Sequence, residues 1–160
     1  MDENRQADEE TPKERANREL IELLNELRIV LPGVTVLLAF LLAVPFANGW
    51  TRVTSFQRDV FVVAFLATAV SVALLTAPSS YHRLRFRHGD KEHMVKVGNR
   101  LSIAGIAASA VSLEAVVLLV MDAVLSLGAA IAAAVALFAV VSSLWYLLPL
   151  SAALRDRSAR

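Results

Sequence analysis

The sequence predicts an all-α integral membrane protein, a bundle of four transmembrane helices with a short amphipathic cytoplasmic helix before the first span and both termini cytoplasmic. Three observations predict it. Of 160 residues, 56% are hydrophobic, and the mean hydropathy is +0.55, above ordinary globular usage. Most of the 16 basic and 15 acidic residues fall in the first 28 positions, around 80–100 and at the end, with long apolar runs between. The basic residues also alternate from one end of the runs to the other. A soluble helix keeps a charged face along its length, and these runs have none. A soluble bundle of helices apolar all round needs a larger interior than this chain can make.

Residues 1–10 are polar and predict a disordered tail. Thr11-Pro12-Lys13-Glu14 then has the order of a capping box, with Thr11 as N-cap, Pro12 at the first helical position and Glu14 three residues on. Leu20, Leu23, Leu24, Leu27 and Leu31 share one helical stripe, with Glu19, Glu22 and Glu26 elsewhere. This predicts an amphipathic helix over 11–28 that lies on the membrane surface or docks onto the bundle. Residues 1–19 hold seven acids against four bases, the reverse of a basic signal-peptide start, so the first apolar run is expected to remain as a helix.

Four segments then meet the length test for a hydrocarbon layer of about 30 Å, which takes roughly 20 residues. Ile29–Phe46 and Val60–Ala77 carry no charge, Leu101–Met121 carries only Glu114, and Ala123–Leu150 has room for a turn near Ser126 and Gly128 before a full crossing. The spans are placed at about 29–47, 60–78, 101–121 and 128–149, within a transmembrane domain of 29–150, with a basic cytoplasmic tail at 151–160. Pro45 is expected to bend or end the first. Gly89-Asp90 is expected to make a turn, with Asp90 capping the helix that becomes the third span.

Topology follows from charge. Fourteen Lys and Arg residues lie before the first span, between spans two and three, or after the fourth, against two in the remaining loops. Basic loops stay cytoplasmic, so both termini and the 79–100 loop are expected there, in a bacterial plasma membrane. Trp50 falls at one boundary, and Tyr81, Trp145 and Tyr146 near the other.

Several segments together resemble a known family. They are Glu22-Leu-Leu-Asn-Glu-Leu-Arg-Ile-Val-Leu-Pro-Gly33, Ala39-Phe-Leu-Leu-Ala-Val-Pro-Phe46, Phe56-Gln-Arg58, Ala77-Pro-Ser-Ser-Tyr-His-Arg83 and Asn99-Arg-Leu-Ser-Ile-Ala-Gly105. Over roughly Leu20 to Leu150 the chain resembles a family of small actinobacterial membrane proteins, the domain of unknown function numbered six-three-two-eight. The resemblance implies a four-helix membrane fold and no established activity. Members of such families are sometimes labelled sodium:proton antiporters, a label that attaches to no motif in these residues.

Glu114 is the leading candidate for chemistry. A charge near the bilayer centre costs about 2.5–3.5 kcal/mol on insertion scales, and such groups are functional or paired. No span offers an interior Lys, Arg or His, and Thr68 is the nearest polar candidate by depth. Glu114 reads either as a proton carrier or as a protonated side chain hydrogen-bonded between helices. Asp122 either continues a polar track from Glu114 or caps the end of the third helix. Gly105, Ser109 and Ser112, on the face opposite Glu114, predict close helix packing, as do the pairs Ala129/Ala133 and Ala132/Ala136 in the fourth span.

A second cluster is expected at the cytoplasmic boundary, where Glu26, Arg28, His82, Arg83 and Arg100 lie at similar depth. It reads as a contact site for an anionic ligand or lipid headgroup, or as the charge that fixes topology. His82, His88 and His93 share no helical face and are not predicted to bind metal. There is no cysteine, so thiolate and disulfide chemistry are excluded. No phosphate-binding glycine loop, nucleophile elbow or zinc-protease motif occurs, and no enzyme, cofactor or nucleic-acid role is predicted. Two functions stay open: an accessory or scaffold protein working with lipid and packing partners, and a proton-coupled transporter, a homo-oligomer with Glu114 as carrier.

Overall fold

The computed structural model describes residues 11–85, 91–148 and 151. Its long elements are α1 (Pro12–Ala43), α2 (Ser55–Arg85), α3 (Lys91–Val124) and α4 (Leu127–Ser142). Short 3-10 turns, Val44–Phe46 and Trp50–Arg52, join α1 to α2, and a π turn, Ser143–Leu147, continues α4. Four helical stretches are long and apolar enough to cross a membrane: Asn17–Phe46, Ser55–Tyr81, His93–Val124 and Leu127–Trp145. In their most apolar windows only 11–28% of residues are buried within the chain. Ile29 and Phe46 are 80% and 87% exposed, an arrangement suited to lipid and not to water. The tail at 1–10, the turn at Gly89-Asp90, His88 and the tail from 152 lie outside the described residues.

The first helix departs from expectation. The amphipathic segment over 11–28 is not a helix of its own, because α1 runs unbroken from Pro12 to Ala43. The physical reason is a stripe that never changes phase. Leu20, Leu27, Val34 and Leu41 are buried at seven-residue intervals, with Leu23 buried and Val30 and Leu37 half-buried between them, the repeat of close-packed helices. Of the two expectations for the leucine stripe, burial against other helices is the one observed. Pro32 sits inside α1 without ending it, whereas Pro45, in the 3-10 turn, lies just past its end. The box at the start forms as read: Glu14 Oε2 accepts from the Thr11 N–H at 2.9 Å and the Thr11 hydroxyl at 2.7 Å, and the Glu14 N–H donates to Thr11 Oγ1 at 3.3 Å.

Two compact units divide the chain. The first holds residues up to Phe40 and Thr68–Ser109. Its core is Leu23, Leu27, Val34 and Leu75, with Val30, Leu31, Val72 and Ile106 packed against it. Small residues of α3 let the helices close up. A Cβ at Gly98 would lie 3.6 Å from Leu23 and Pro78 side-chain atoms, and one at Gly105 only 2.8 Å from Leu75 Cγ and Cδ2. The buried Ser71 hydroxyl donates to the Gly105 carbonyl at 2.7 Å. With lipid outside and no hydrophobic drive between helices, such contacts hold the helices together.

The second unit holds Leu41–Ala67 and the chain from Ala110. The fully buried Ser112 donates to the Ala64 carbonyl at 3.0 Å. Trp50 meets Phe61 edge-on at 4.8 Å, and Phe61 stacks near Phe65 at 6.2 Å. Ser126 caps α4, accepting from the Ala129 N–H at 3.4 Å. On α4 the buried side passes through Ala130 and Val141, with Ala129 and Ala133 half-buried, while Ala132 and Ala136 are exposed. One of the two alanine pairs thus packs within the chain.

Candidate functional site

The boundary cluster read from the sequence separates into two crevices, both in the first unit and both bordered by α1. Arg28 lies two residues, about 200°, beyond Glu26 on that helix. One crevice, of about 460 Å³, is lined by Leu24, Leu27, Arg28 and Leu31 from α1 and by Leu75, Thr76, Ser79, Ser80 and Arg83 from α2. The other, of about 360 Å³, is lined by Glu19, Glu22, Leu23 and Glu26 from α1 and by Val95, Lys96 and Asn99 from α3. Arg28 and Arg83 therefore come together, and Glu26 goes with the acids. Arg100 is exposed on α3 and lines neither crevice. His82 belongs to α2, but its side chain lies outside what the structure describes.

The arginine crevice has a leucine floor and a polar rim. Thr76 donates its hydroxyl to the Val72 and Ala73 carbonyls at 2.9 and 3.0 Å, and Ser80 to Thr76 at 3.5 Å. Ser79 and the two guanidiniums make no bond within the described residues, which leaves them as the available donors. A third cavity, an apolar groove of about 450 Å³, adjoins this rim and is lined by Arg28, Leu31, Pro32, Thr35 and Val36. Pro32 brings no N–H to the Arg28 carbonyl one turn back, and Thr35 turns its hydroxyl to the Leu31 carbonyl at 2.8 Å.

The intramembrane candidates sit differently. Glu114, in the second unit, has its Oε1 shut from solvent with no hydrogen-bond partner among the described residues. Thr68 is fully buried in the first unit and is itself engaged. Asp122 does not cap the turn into α4, because α3 continues to Val124 and Ser126 supplies that cap. Asp122 Oδ2 instead accepts from the Gln57 side-chain amide at 2.9 Å. Gln57 Oε1 meanwhile accepts from the Thr54 N–H at 3.1 Å, and the Gln57 N–H donates to Thr54 Oγ1 at 3.2 Å. Gln57 thus closes a capping box for α2 and ties it to α3. The sequence reading passed over Gln57, although Thr54-x-x-Gln57 has the same form as Thr11-x-x-Glu14. It also passed over Ser79 and the groove at Pro32, for which no signal exists in a one-dimensional pattern. Among the described residues no three His, Asp or Glu side chains converge as metal ligands.

Four long apolar helices, with lipid-facing side chains and small-residue contacts between helices, define a multi-pass α-helical membrane protein. The chain belongs to the family of unknown function DUF6328, whose model matches residues 9–149. No curated protein and no solved structure matches it.

Proposed function

We propose that this chain is a small accessory or scaffold protein of the bacterial plasma membrane, with both termini cytoplasmic, acting through the crevices of its first unit. The observation that carries the reading is the sorting of charge on the two sides of α1: Arg28 with Arg83 in one crevice, Glu19, Glu22 and Glu26 in the other. The basic loops fall at the same ends of the helices, which supports a cytoplasmic location for both crevices. Partners include lipid, with anionic headgroups on that side, and further copies of the chain as a homo-oligomer.

A second reading, a proton-coupled antiporter with Glu114 as carrier, draws on Glu114 Oε1, which has no hydrogen-bond partner among the described residues. The opposing consideration is that Asp122, the other carboxylate of that unit's α3, is already bonded to Gln57. Proton flux into proteoliposomes, with and without a sodium or potassium gradient, separates the two. The accessory reading expects no flux from the protein or from Glu114→Gln, with both folded. Protein-dependent flux that disappears in Glu114→Gln would replace it with the transporter. Because the chain has no cysteine, single cysteines at Arg15, Thr51 and Ser151 report the topology cleanly. Labelling from the cytoplasmic side is expected at the first and third alone.

A further inference from the structure

We propose that the arginine crevice and the groove beside Pro32 form one binding site for an anionic phospholipid. The headgroup phosphate lies between Arg28, Arg83 and Ser79, and an acyl chain follows Leu31, Pro32 and Val36. The inference rests on the membrane reading above and adds a ligand to it.

Four observations carry it. The two cavities share Arg28 and Leu31, so the polar rim leads into the apolar groove without a gap in residues. The donors at the rim are two guanidiniums and a serine hydroxyl, with no carboxylate among the described lining residues. Guanidinium forks match phosphate oxygens, and basic pockets between transmembrane helices suit lipid headgroups. The groove is apolar beyond Arg28, since Thr35 bonds its hydroxyl to the Leu31 carbonyl, and from 28 to 36 it extends about 12 Å along the helix. Finally, the acids of α1 line a different crevice, so an anion at Arg28 meets attraction from its own cavity walls. A soluble anion would use the rim and leave the groove empty. A phospholipid uses both.

The test is native mass spectrometry of the detergent-solubilised protein, titrated separately with phosphatidylglycerol, phosphatidylcholine and glycerol phosphate. Phosphatidylglycerol is expected to bind at least tenfold more tightly than the other two. Arg28→Gln and Arg83→Gln should each weaken it by roughly fivefold, the effect of one basic residue at a lipid surface. Arg100→Gln, which removes the same charge outside the crevice, should leave it within twofold. Thr35→Trp, which fills the groove, should weaken the lipid and not glycerol phosphate. The double variant Arg28→Lys/Arg83→Lys keeps the charge and should retain selectivity even if the glutamine variants fold poorly. Equal binding of the two lipids overturns the proposal, as does an Arg100→Gln loss matching that of Arg28→Gln. Glycerol phosphate binding as tightly as the lipid overturns the acyl-chain assignment. A protein that enters vesicles yet shows no selectivity sinks the site alone, whereas one that does not enter them sinks the membrane reading as well.

Discussion

Gly105 and Leu75 approach so closely that a methyl group on Gly105 would lie 2.8 Å from both Cγ and Cδ2 of Leu75. Leu75 is 1% exposed, and the Ser71 hydroxyl fixes the Gly105 carbonyl at 2.7 Å. Neither the side chain nor the backbone has room to give way.

Gly105→Ala is therefore expected to destabilise the protein by roughly 1–3 kcal/mol, the range for overpacked cores. Gly98→Ala is the control, because its new methyl would meet Leu23 and Pro78 at an ordinary 3.6 Å, and replacing a helical glycine recovers about 0.5–1 kcal/mol. Thermal unfolding in detergent should lower the midpoint for the first variant and hold or raise it for the second.

Ser71→Ala and Ser112→Ala each remove a buried interhelical bond to a carbonyl. Such bonds in membrane proteins average about 0.6 kcal/mol, with a maximum near 1.7, and both acceptors keep a second lone pair for helical bonding. Losses on that scale in reversible unfolding are expected. A loss several times larger would mean the serines do more than bridge helices.

Gln57 and Asp122 should couple. A hydrogen bond to a charged group contributes about 1.5–3 kcal/mol, less where it is partly exposed, as here. A cycle built from Gln57→Leu and Asp122→Ala is expected to give an interaction energy of about 1 kcal/mol. Because Gln57 also closes the α2 box, the single change at 57 should cost more than that at 122. Independent effects would show the contact to be incidental.

The α1 cap should respond to acid. Hydrogen bonds from the Thr11 side chain and backbone hold the Glu14 carboxyl below its ordinary value of 4.5. Its folded pKa being depressed, its contribution is present above the unfolded pKa and is lost as pH falls through the folded one. Amide protection at residues 14–17, corrected for the intrinsic exchange rate, should fall as the pH drops through the depressed Glu14 value. Glu14→Gln keeps the box geometry and should remove the pH response.

Replacing Glu114 by Leu takes away a buried oxygen that has no partner among the described residues. Relief of that desolvation is expected to raise stability by about 1–3 kcal/mol. A fall in stability would mean that the carboxyl is satisfied by water or by another chain.

Much of this architecture was legible in the residues. Uncharged stretches such as Val60–Ala77 announce a crossing because each lost charge is worth kilocalories in lipid, and Thr11 with Glu14 announces a helix start because the box is local. The unbroken α1 was less so. A change from charged to apolar composition near Arg28 resembles a boundary, yet the seven-residue stripe carries on across it. The sorting of Arg28 and Glu26 into different crevices depends on which neighbour each face of α1 meets, a matter of rotation that spacing does not settle. The Asp122 contact was hidden for the same reason: its partner Gln57 is 65 residues away. Glu114 was visible as a lone charge, and the burial of its Oε1 required coordinates.

The continuity of α1 has a consequence for scale. Thirty-two residues make a rod of about 48 Å, whereas the hydrocarbon layer takes up only about 30 Å. The surplus is absorbed by tilt or stands clear of the lipid. Leu20 and Leu23, buried on the first unit, keep that surplus from lying down along the bilayer. The charged first turns, with Lys13, Arg15 and Arg18 beside Glu14 and Glu19, are thus carried like a mast at a height set by helix packing, not on a tether.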